Sequence, residues 1–106
     1  KKLGIDIEYI NPTFQISEIA PSIMCSSELK QFNAYSNNSY DQRVYFFQLF
    51  SAKESIIKAF GTGLYFDVKN LNIIEYNQFM HQHVQFKYHK LDQWMHQYTL
   101  AACYEH

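Results

Sequence analysis

The feature that most constrains the fold is a long helical pattern from about Tyr40 to Phe60. Apolar residues recur along it at helical spacing, and Gly61 follows as a predicted stop. One stripe of this helix is apolar at every position except Lys53, and it comprises positions 46, 49, 50, 53, 56, 57 and 60. A stripe of this kind predicts a helix that is mostly buried, so the single lysine within it needs an explanation.

The residues before the helix predict one strand and two short helices. The segment 3–10 alternates, with apolar and acidic residues on opposite faces: Leu3, Ile5 and Ile7 on one, Asp6 and Glu8 on the other. This period of two predicts a half-buried strand. A short helix is expected before Pro21, since proline disfavours helical geometry in the preceding residue, and Ser26 is expected to cap a second helix.

The residues after the helix are rich in strand formers. The segment 33–42 is predicted to be a loop, and three β-rich segments, 70–76, 83–89 and 97–105, follow the "GTG" at 61–63. A strand, then helices, then strands is an α+β order. We therefore expect a small antiparallel sheet packed on a long helix, in one domain of 106 residues.

Composition argues against several classes of function. The net charge is −1 and no cluster of Lys and Arg is long enough to follow a nucleic-acid backbone. No apolar run approaches the ~20 residues that a membrane span needs. Cys25 and Cys103 are far apart, which favours reduced cysteines in a cytoplasmic protein. The histidines His81, His83, His89 and His96 lack the spacing of a zinc site.

Acidic and basic residues occur in a pattern that allows two interpretations. Asp6 and Glu8 project from one strand face, while Glu54 and Lys58 lie one turn apart on the helix. They could be a solvated strand face and a surface salt bridge, with the stem of Lys53 passing along apolar neighbours. Alternatively, carboxylates from a strand and a helix, with lysines beside them, suit a metal-bound diphosphate.

Two motifs carry a family resemblance. "GIDIE" at 4–8 and "FSAKESIIKAFGTGL" at 50–64 resemble the paired signature of 4′-phosphopantetheinyl transferases. The segments "EIAPSIMCSSE" (18–28) and "YTLAACYE" (98–105) are also similar to the family, so the resemblance covers essentially the whole chain. It is closest to the two-lobed type that activates nonribosomal peptide and siderophore synthetases, and implies one lobe of that fold.

The resemblance implies an activity and a set of site residues. Coenzyme A would donate 4′-phosphopantetheine to a serine of an acyl or peptidyl carrier protein and release 3′,5′-ADP. In family terms, Asp6, Glu8 and Glu54 would bind Mg²⁺. Asp6, Lys53 and Lys58 would contact the coenzyme. Glu28 or Glu54 would act as the general base.

The resemblance also has a gap, because "GIDIE" normally opens the second lobe of the two-lobed enzymes. The chain therefore resembles a C-terminal lobe, whose partner would be an N-terminal lobe or a second copy of the chain. A self-assembling trimer of the acyl-carrier-protein synthase type is a second hypothesis, and a non-catalytic module that binds carrier proteins is a third. The 106-residue chain alone is expected to transfer poorly.

Overall fold

The computed structural model describes residues 3–60, 68–73, 78–81, 84–94 and 97–105. In chain order the elements are β1 (Leu3–Tyr9), α1 (Ile16–Ile23), α2 (Ser26–Ala34), α3 (Tyr40–Phe60), a 3₁₀ turn (Val68–Asn70), β2 (Gln78–His81), β3 (Val84–Trp94) and β4 (Tyr98–Glu105). This order confirms the predicted α+β class, and the long helix has its predicted bounds. Within the described ranges, no helix combines the length and apolar character that crossing a membrane requires.

The four strands form one antiparallel sheet in the order β1-β4-β3-β2. The first and last strands of the chain are therefore neighbours, and β1 lies at an edge of the sheet. In the pairing register, Asp6 lies opposite Ala101 and Glu8 lies opposite Thr99. Helix α3 packs across β1, β4 and β3, which makes it the structural centre of the domain.

Gly4 allows β1 to approach α3 closely. A Cβ atom at this position would overlap two backbone atoms of the helix, the carbonyl oxygen of Ser55 and the amide nitrogen of Ala59. Ser55 and Ala59 are themselves small and buried. The glycine that opens the "GIDIE" motif is thus required by packing, because no other residue fits this contact without moving the strand.

The two faces of β1 have an unexpected environment. The apolar side chains Leu3, Ile5, Ile7 and Tyr9 are 49–59% exposed. Asp6, on the other face, is only 4% exposed and Glu8 is half-buried, because this face lies against α3. The alternation correctly predicted a half-buried strand. The interpretation of Asp6 as part of a solvated face is wrong, because Gly4 brings that face against the helix.

The core is built around the stripe of α3 that the sequence predicted. Phe46 and Ile56 are completely buried and Leu49 is 1% exposed. The ring of Phe46 contacts those of Phe14, Phe32, Phe47 and Phe50, with centroid separations of 5.0–6.4 Å. Aromatic pairs at such separations stabilise a core beyond their area burial. The many aromatic side chains of the region therefore serve the packing of α3.

Two local predictions before α3 need correction. Pro21 lies inside α1 rather than just after it, and the helix closes with a hydrogen bond from the amide of Met24 to the carbonyl of Ala20 (3.0 Å). The N-cap of α2 is Cys25 rather than Ser26. The carboxylate of Glu28 accepts the Cys25 N–H at 3.0 Å, so the helix start lies one residue earlier than predicted.

The second half of the chain was predicted less well. The predicted strand at 70–76 is wrong in its described part, where a 3₁₀ turn ends at Asn70 and residues 71–73 form no strand. The segments 83–89 and 97–105 overlap β3 and β4, while β2 was not predicted. The predicted helix stop at Gly61 lies outside the described residues, as do two of the histidines, His83 and His96.

Candidate functional site

The "GIDIE" strand and α3 bring a carboxylate and an ammonium together. Asp6 Oδ1 and Lys58 Nζ are 2.6 Å apart, although the two residues are 52 positions apart in the sequence. The side chain of Asp6 is 4% exposed, whereas that of Lys58 is 51% exposed. The hydrogen bond with Asp6 raises the pKa of Lys58, and the charges of Glu54 and Glu8 act in the same direction. Lys58 thus stays cationic at the rim of the site.

The second carboxylate oxygen of Asp6 differs from the first. It is buried and has no hydrogen-bond partner among the described residues. Buried polar atoms are almost always hydrogen-bonded, so an exception often marks a place for an ion or a ligand. A carboxylate oxygen of this kind suits a hard cation such as Mg²⁺.

The pKa of Glu8 reflects its burial and the negative charges that surround it. Its pKa is raised from an ordinary 4.5 to about 7, first by burial and then by its contact with the Asp6 carboxyl group. The charges of Asp6 and Glu54 raise it further, while Lys58 opposes them. The carboxylates of Asp6 and Glu8 repel each other, and they can form a hydrogen bond only when one of them is protonated. A bound cation would relieve the same repulsion.

We refer to Asp6, Glu8, Glu54 and Lys58 as the acid cluster. Within the part of the chain that the structure describes, no group of three His, Cys, Asp or Glu side chains is already arranged as a metal site. The acid cluster is nevertheless chemically suited to a divalent cation, because it contains an unpartnered buried oxygen and repelling carboxylates. Side chains would have to adjust for Glu54 to join Asp6 and Glu8 around one ion.

A groove of about 250 Å³ adjoins the acid cluster at Glu8, and its lining is otherwise uncharged: Glu8, Tyr9, Asn11, Phe14, Phe47 and Phe50. Its outer wall is the loop after β1, which is held to α3 by Arg43. The guanidinium of Arg43 donates to the carbonyl oxygens of Asn11 (3.0 Å) and Phe14 (2.8 Å). Phe14 is 38% exposed, so part of this wall is accessible from outside.

The other two predicted site residues lie in the core and face each other. Glu28 is completely buried and Lys53 is 3% exposed, with Lys53 Nζ 2.5 Å from Glu28 Oε1. We call these two residues the buried pair. Glu28 was predicted as a candidate base and Lys53 as a coenzyme contact. In the structure, the charged atoms of both residues form hydrogen bonds with each other and with backbone groups.

The structure therefore divides the predicted residues into the acid cluster and the buried pair. Sequence reasoning missed two contributors. Gly4 sets the distance between β1 and α3, and its signal was a glycine facing small helix residues one turn apart, Ser55 and Ala59. The amide of Ile73 donates to Glu28 Oε2 at 3.0 Å. No local sequence pattern predicts that contact, because a backbone amide is present at almost every residue.

Comparison with known proteins agrees with the motifs. A sequence model of the 4′-phosphopantetheinyl transferase superfamily matches residues 2–103. The match covers both motifs, the whole of α3 and most of β4. No match was found among curated proteins.

Proposed function

The chain belongs to the 4′-phosphopantetheinyl transferase superfamily, and we propose that it modifies a serine of an acyl or peptidyl carrier protein. In this reaction the serine Oγ forms a bond to the phosphorus next to the pantetheine arm of coenzyme A. The bond from that phosphorus to the bridging diphosphate oxygen breaks, and 3′,5′-ADP leaves. The serine proton passes to a base, so atoms and charge balance.

The observation that carries this proposal is that Asp6 Oδ2, beside Glu8, is buried and has no hydrogen-bond partner among the described residues, while the charge of Glu54 acts on Glu8 as well. Asp6, Glu8 and Glu54 would hold Mg²⁺, for which oxygen ligands are the preferred donors. When bound, the ion supplies positive charge that offsets the negative charge of the diphosphate. Without it, three carboxylates would face a substrate of the same sign.

Lys58 and Glu54 have the accessible functional groups. The half-exposed ammonium of Lys58 can turn from Asp6 toward a phosphate oxygen without leaving the site. Glu54 is half-buried, on the same side of α3, and can orient the serine hydroxyl or a water that takes its proton. Glu28 is less suited to be the base, because its carboxylate is completely buried.

The exposed apolar face of β1 supports a second lobe of this fold as the partner. Leu3, Ile5, Ile7 and Tyr9 lie in a row on an edge strand, opposite Tyr104, Ala102, Leu100 and Tyr98 of β4. These eight positions carry no charge, which suits an equally apolar surface. We propose that the chain is one lobe of a larger enzyme and that this face packs against the other lobe, which is an N-terminal lobe or a second copy of this one.

The test is a carrier-protein modification assay with coenzyme A, in Mg²⁺ and in EDTA. We expect the carrier to gain the mass of phosphopantetheine only with Mg²⁺, and slowly with this chain alone. Turnover near that of two-lobed relatives would contradict the one-lobe proposal, and a stable trimer in light scattering would favour the self-assembling alternative. Mg²⁺ and carrier binding without any transfer would favour the non-catalytic module.

A further inference from the structure

Every hydrogen-bonding group of the buried lysine is used inside the protein. Lys53 Nζ donates to the carbonyl of Ile23 (2.5 Å), to Glu28 Oε1 (2.5 Å) and to the carbonyl of Lys69 (3.2 Å). An ammonium group has three protons, so these three acceptors satisfy it. Lys53 consequently has no free proton to offer a phosphate, and its side chain is 3% exposed.

The carboxylate of Glu28 is similarly occupied. Its Oε1 accepts from the amide of Cys25 and from Lys53, and its Oε2 accepts from the amide of Ile73 at 3.0 Å. The side chain is completely buried. A serine hydroxyl on another protein could not approach this carboxylate unless α2 and the 69–73 segment moved away.

The buried pair connects four parts of the chain. It joins the last residue of α1 (Ile23), the start of α2 (Cys25 and Glu28), the middle of α3 (Lys53) and the 69–73 segment. Lys53 directly precedes Glu54 on α3, so their side chains point about 100° apart around the helix. Anchoring Lys53 therefore fixes the rotation of the helical turn that carries Glu54.

We infer that Glu28 and Lys53 are a positioning pair, which orients Glu54 and Lys58 through α3 and touches neither the coenzyme nor the carrier serine. The inference rests on the proposed function, because it assigns Glu54 and Lys58 to the diphosphate site. It gives "KE" at 53–54 a physical meaning: the lysine anchors the helix from within, and the adjacent glutamate serves the acid cluster.

Charge balance separates a positioning pair from a catalytic residue. Removing one member leaves the other as an uncompensated buried charge, which is strongly destabilising. Replacing both by neutral side chains of similar shape removes that penalty, so much of the loss should be recovered. A general base that has been removed cannot be recovered by a second substitution 25 residues away.

The experiment compares Glu28→Gln, Lys53→Met and the double variant E28Q/K53M in the intact chain. Thermal unfolding, Mg²⁺ titration and carrier modification are measured on each. The matched control is E18Q/K30M, which makes the same charge changes at exposed positions. We expect each single variant to unfold at lower temperature and to bind Mg²⁺ about 10- to 100-fold more weakly when folded, as for groups that orient metal ligands.

The double variant is expected to return to within about tenfold of the wild type in Mg²⁺ affinity and transfer rate. If the single variants fail to fold, the double variant measured against the wild type gives the result. Lys53→Arg adds an independent measurement. A planar guanidinium cannot meet the three acceptors of Lys53, so a positioning role predicts loss of stability, whereas a phosphate contact would largely tolerate arginine.

Three results would overturn the inference. If Glu28→Gln folds and binds Mg²⁺ normally but does not modify the carrier, and the double variant is also inactive, Glu28 is the base. Lys53→Arg with normal stability and coenzyme affinity would make Lys53 a ligand. Unchanged Mg²⁺ affinity in folded single variants would make the pair purely structural. If the wild type neither binds Mg²⁺ nor modifies the carrier, the proposed function fails instead. Recovery of stability in the double variant would still show that Glu28 and Lys53 act on the fold as a pair.

Discussion

The acid cluster and the buried pair each combine carboxylate groups with a lysine of α3, yet their surroundings are opposite. In the buried pair, every proton of Lys53 and both oxygens of Glu28 have partners inside the protein. In the acid cluster, one buried oxygen of Asp6 has no partner among the described residues, and Glu8 has a raised pKa. Charges that are fully satisfied hold the fold together. Charges that are not satisfied indicate where a ligand of opposite charge belongs.

This difference has a physical origin in the packing of α3. Lys53 lies in the stripe that faces the core, where only complete pairing offsets the cost of burying a charge. Glu54 and Lys58 lie about 100° away, where the helix meets β1 and remains partly exposed. The two sites can therefore be perturbed separately, which makes their comparison testable.

The largest effect is expected from Glu54→Gln. Removing this negative charge should lower Mg²⁺-dependent transfer at least about 100-fold, because the acid cluster loses a proposed metal ligand and a candidate base. The melting temperature should change little, since Glu54 is only half-buried and repels Glu8. A coupled carrier-modification assay and thermal unfolding measure the two effects.

Glu18→Gln, at an exposed position of α1, is the matched control and should leave both quantities unchanged. Retained activity in Glu54→Gln would show that the acid cluster does not hold the metal. A large loss of stability would show that Glu54 belongs with the buried pair in a structural role.

A smaller effect, on stability, is expected from Gly4→Ala. The added Cβ overlaps the backbone of α3 at Ser55 and Ala59, and overpacking of this kind costs about 1–3 kcal/mol of unfolding free energy. The strand must shift, so Mg²⁺ affinity should fall as well, because Asp6 and Glu8 move with it. Urea unfolding and Mg²⁺ titration check both effects.

Ile5→Val is the control for Gly4→Ala, because it alters an adjacent, 54% exposed side chain and should change stability by less than about 0.5 kcal/mol. If Gly4→Ala leaves both quantities unchanged, the close approach of β1 to α3 is not what sets the geometry of the acid cluster.

Much of this arrangement could be predicted from local sequence. The helix 40–60 follows from apolar residues at helical spacing, and its predicted bounds match α3. The strand 3–10 follows from its alternation, and α+β from the order of elements. The residues of the acid cluster were predicted from two motifs, and the superfamily match over residues 2–103 covers both motifs.

The environment of each residue could not be predicted, because it depends on contacts between distant segments. Alternation shows that β1 has two faces, but only the fit of Gly4 against Ser55 and Ala59 decides which face is covered. The partner of Lys53 lies 25 residues away, and the amide of Ile73 lies 45 residues from Glu28. Motif reasoning consequently grouped the buried pair with the acid cluster, although packing separates them.

The smallest effect is a pH dependence of stability that arises from Glu8 in the acid cluster. The pKa of Glu8 is raised from 4.5 to about 7 in the folded chain, mainly by burial and by Asp6. The folded state therefore binds a proton that the unfolded state releases above its lower pKa. The contribution of Glu8 to the stability of the folded state is therefore fully present below about pH 4.5 and is lost as the pH rises through about 7. The metal-free protein should melt a few degrees lower at pH 8 than at pH 5.5 because of this group.

Differential scanning fluorimetry in EDTA at both pH values measures this shift, and Glu8→Gln isolates it. Because the amide of the substituted side chain cannot titrate, the difference between wild type and variant removes the contributions of histidines and other groups. Added Mg²⁺ should raise the melting temperature more at pH 8 than at pH 5.5, since a carboxylate binds the ion and a carboxylic acid does not. If the melting temperature of Glu8→Gln falls between pH 5.5 and pH 8 by as much as that of the wild type, the crowding of Glu8 by Asp6 and Glu54 is contradicted. If Glu8→Gln loses both the pH dependence of the melting temperature and its increase by Mg²⁺, the contrast with the buried pair becomes sharper, because the charges of that pair are already satisfied within the fold.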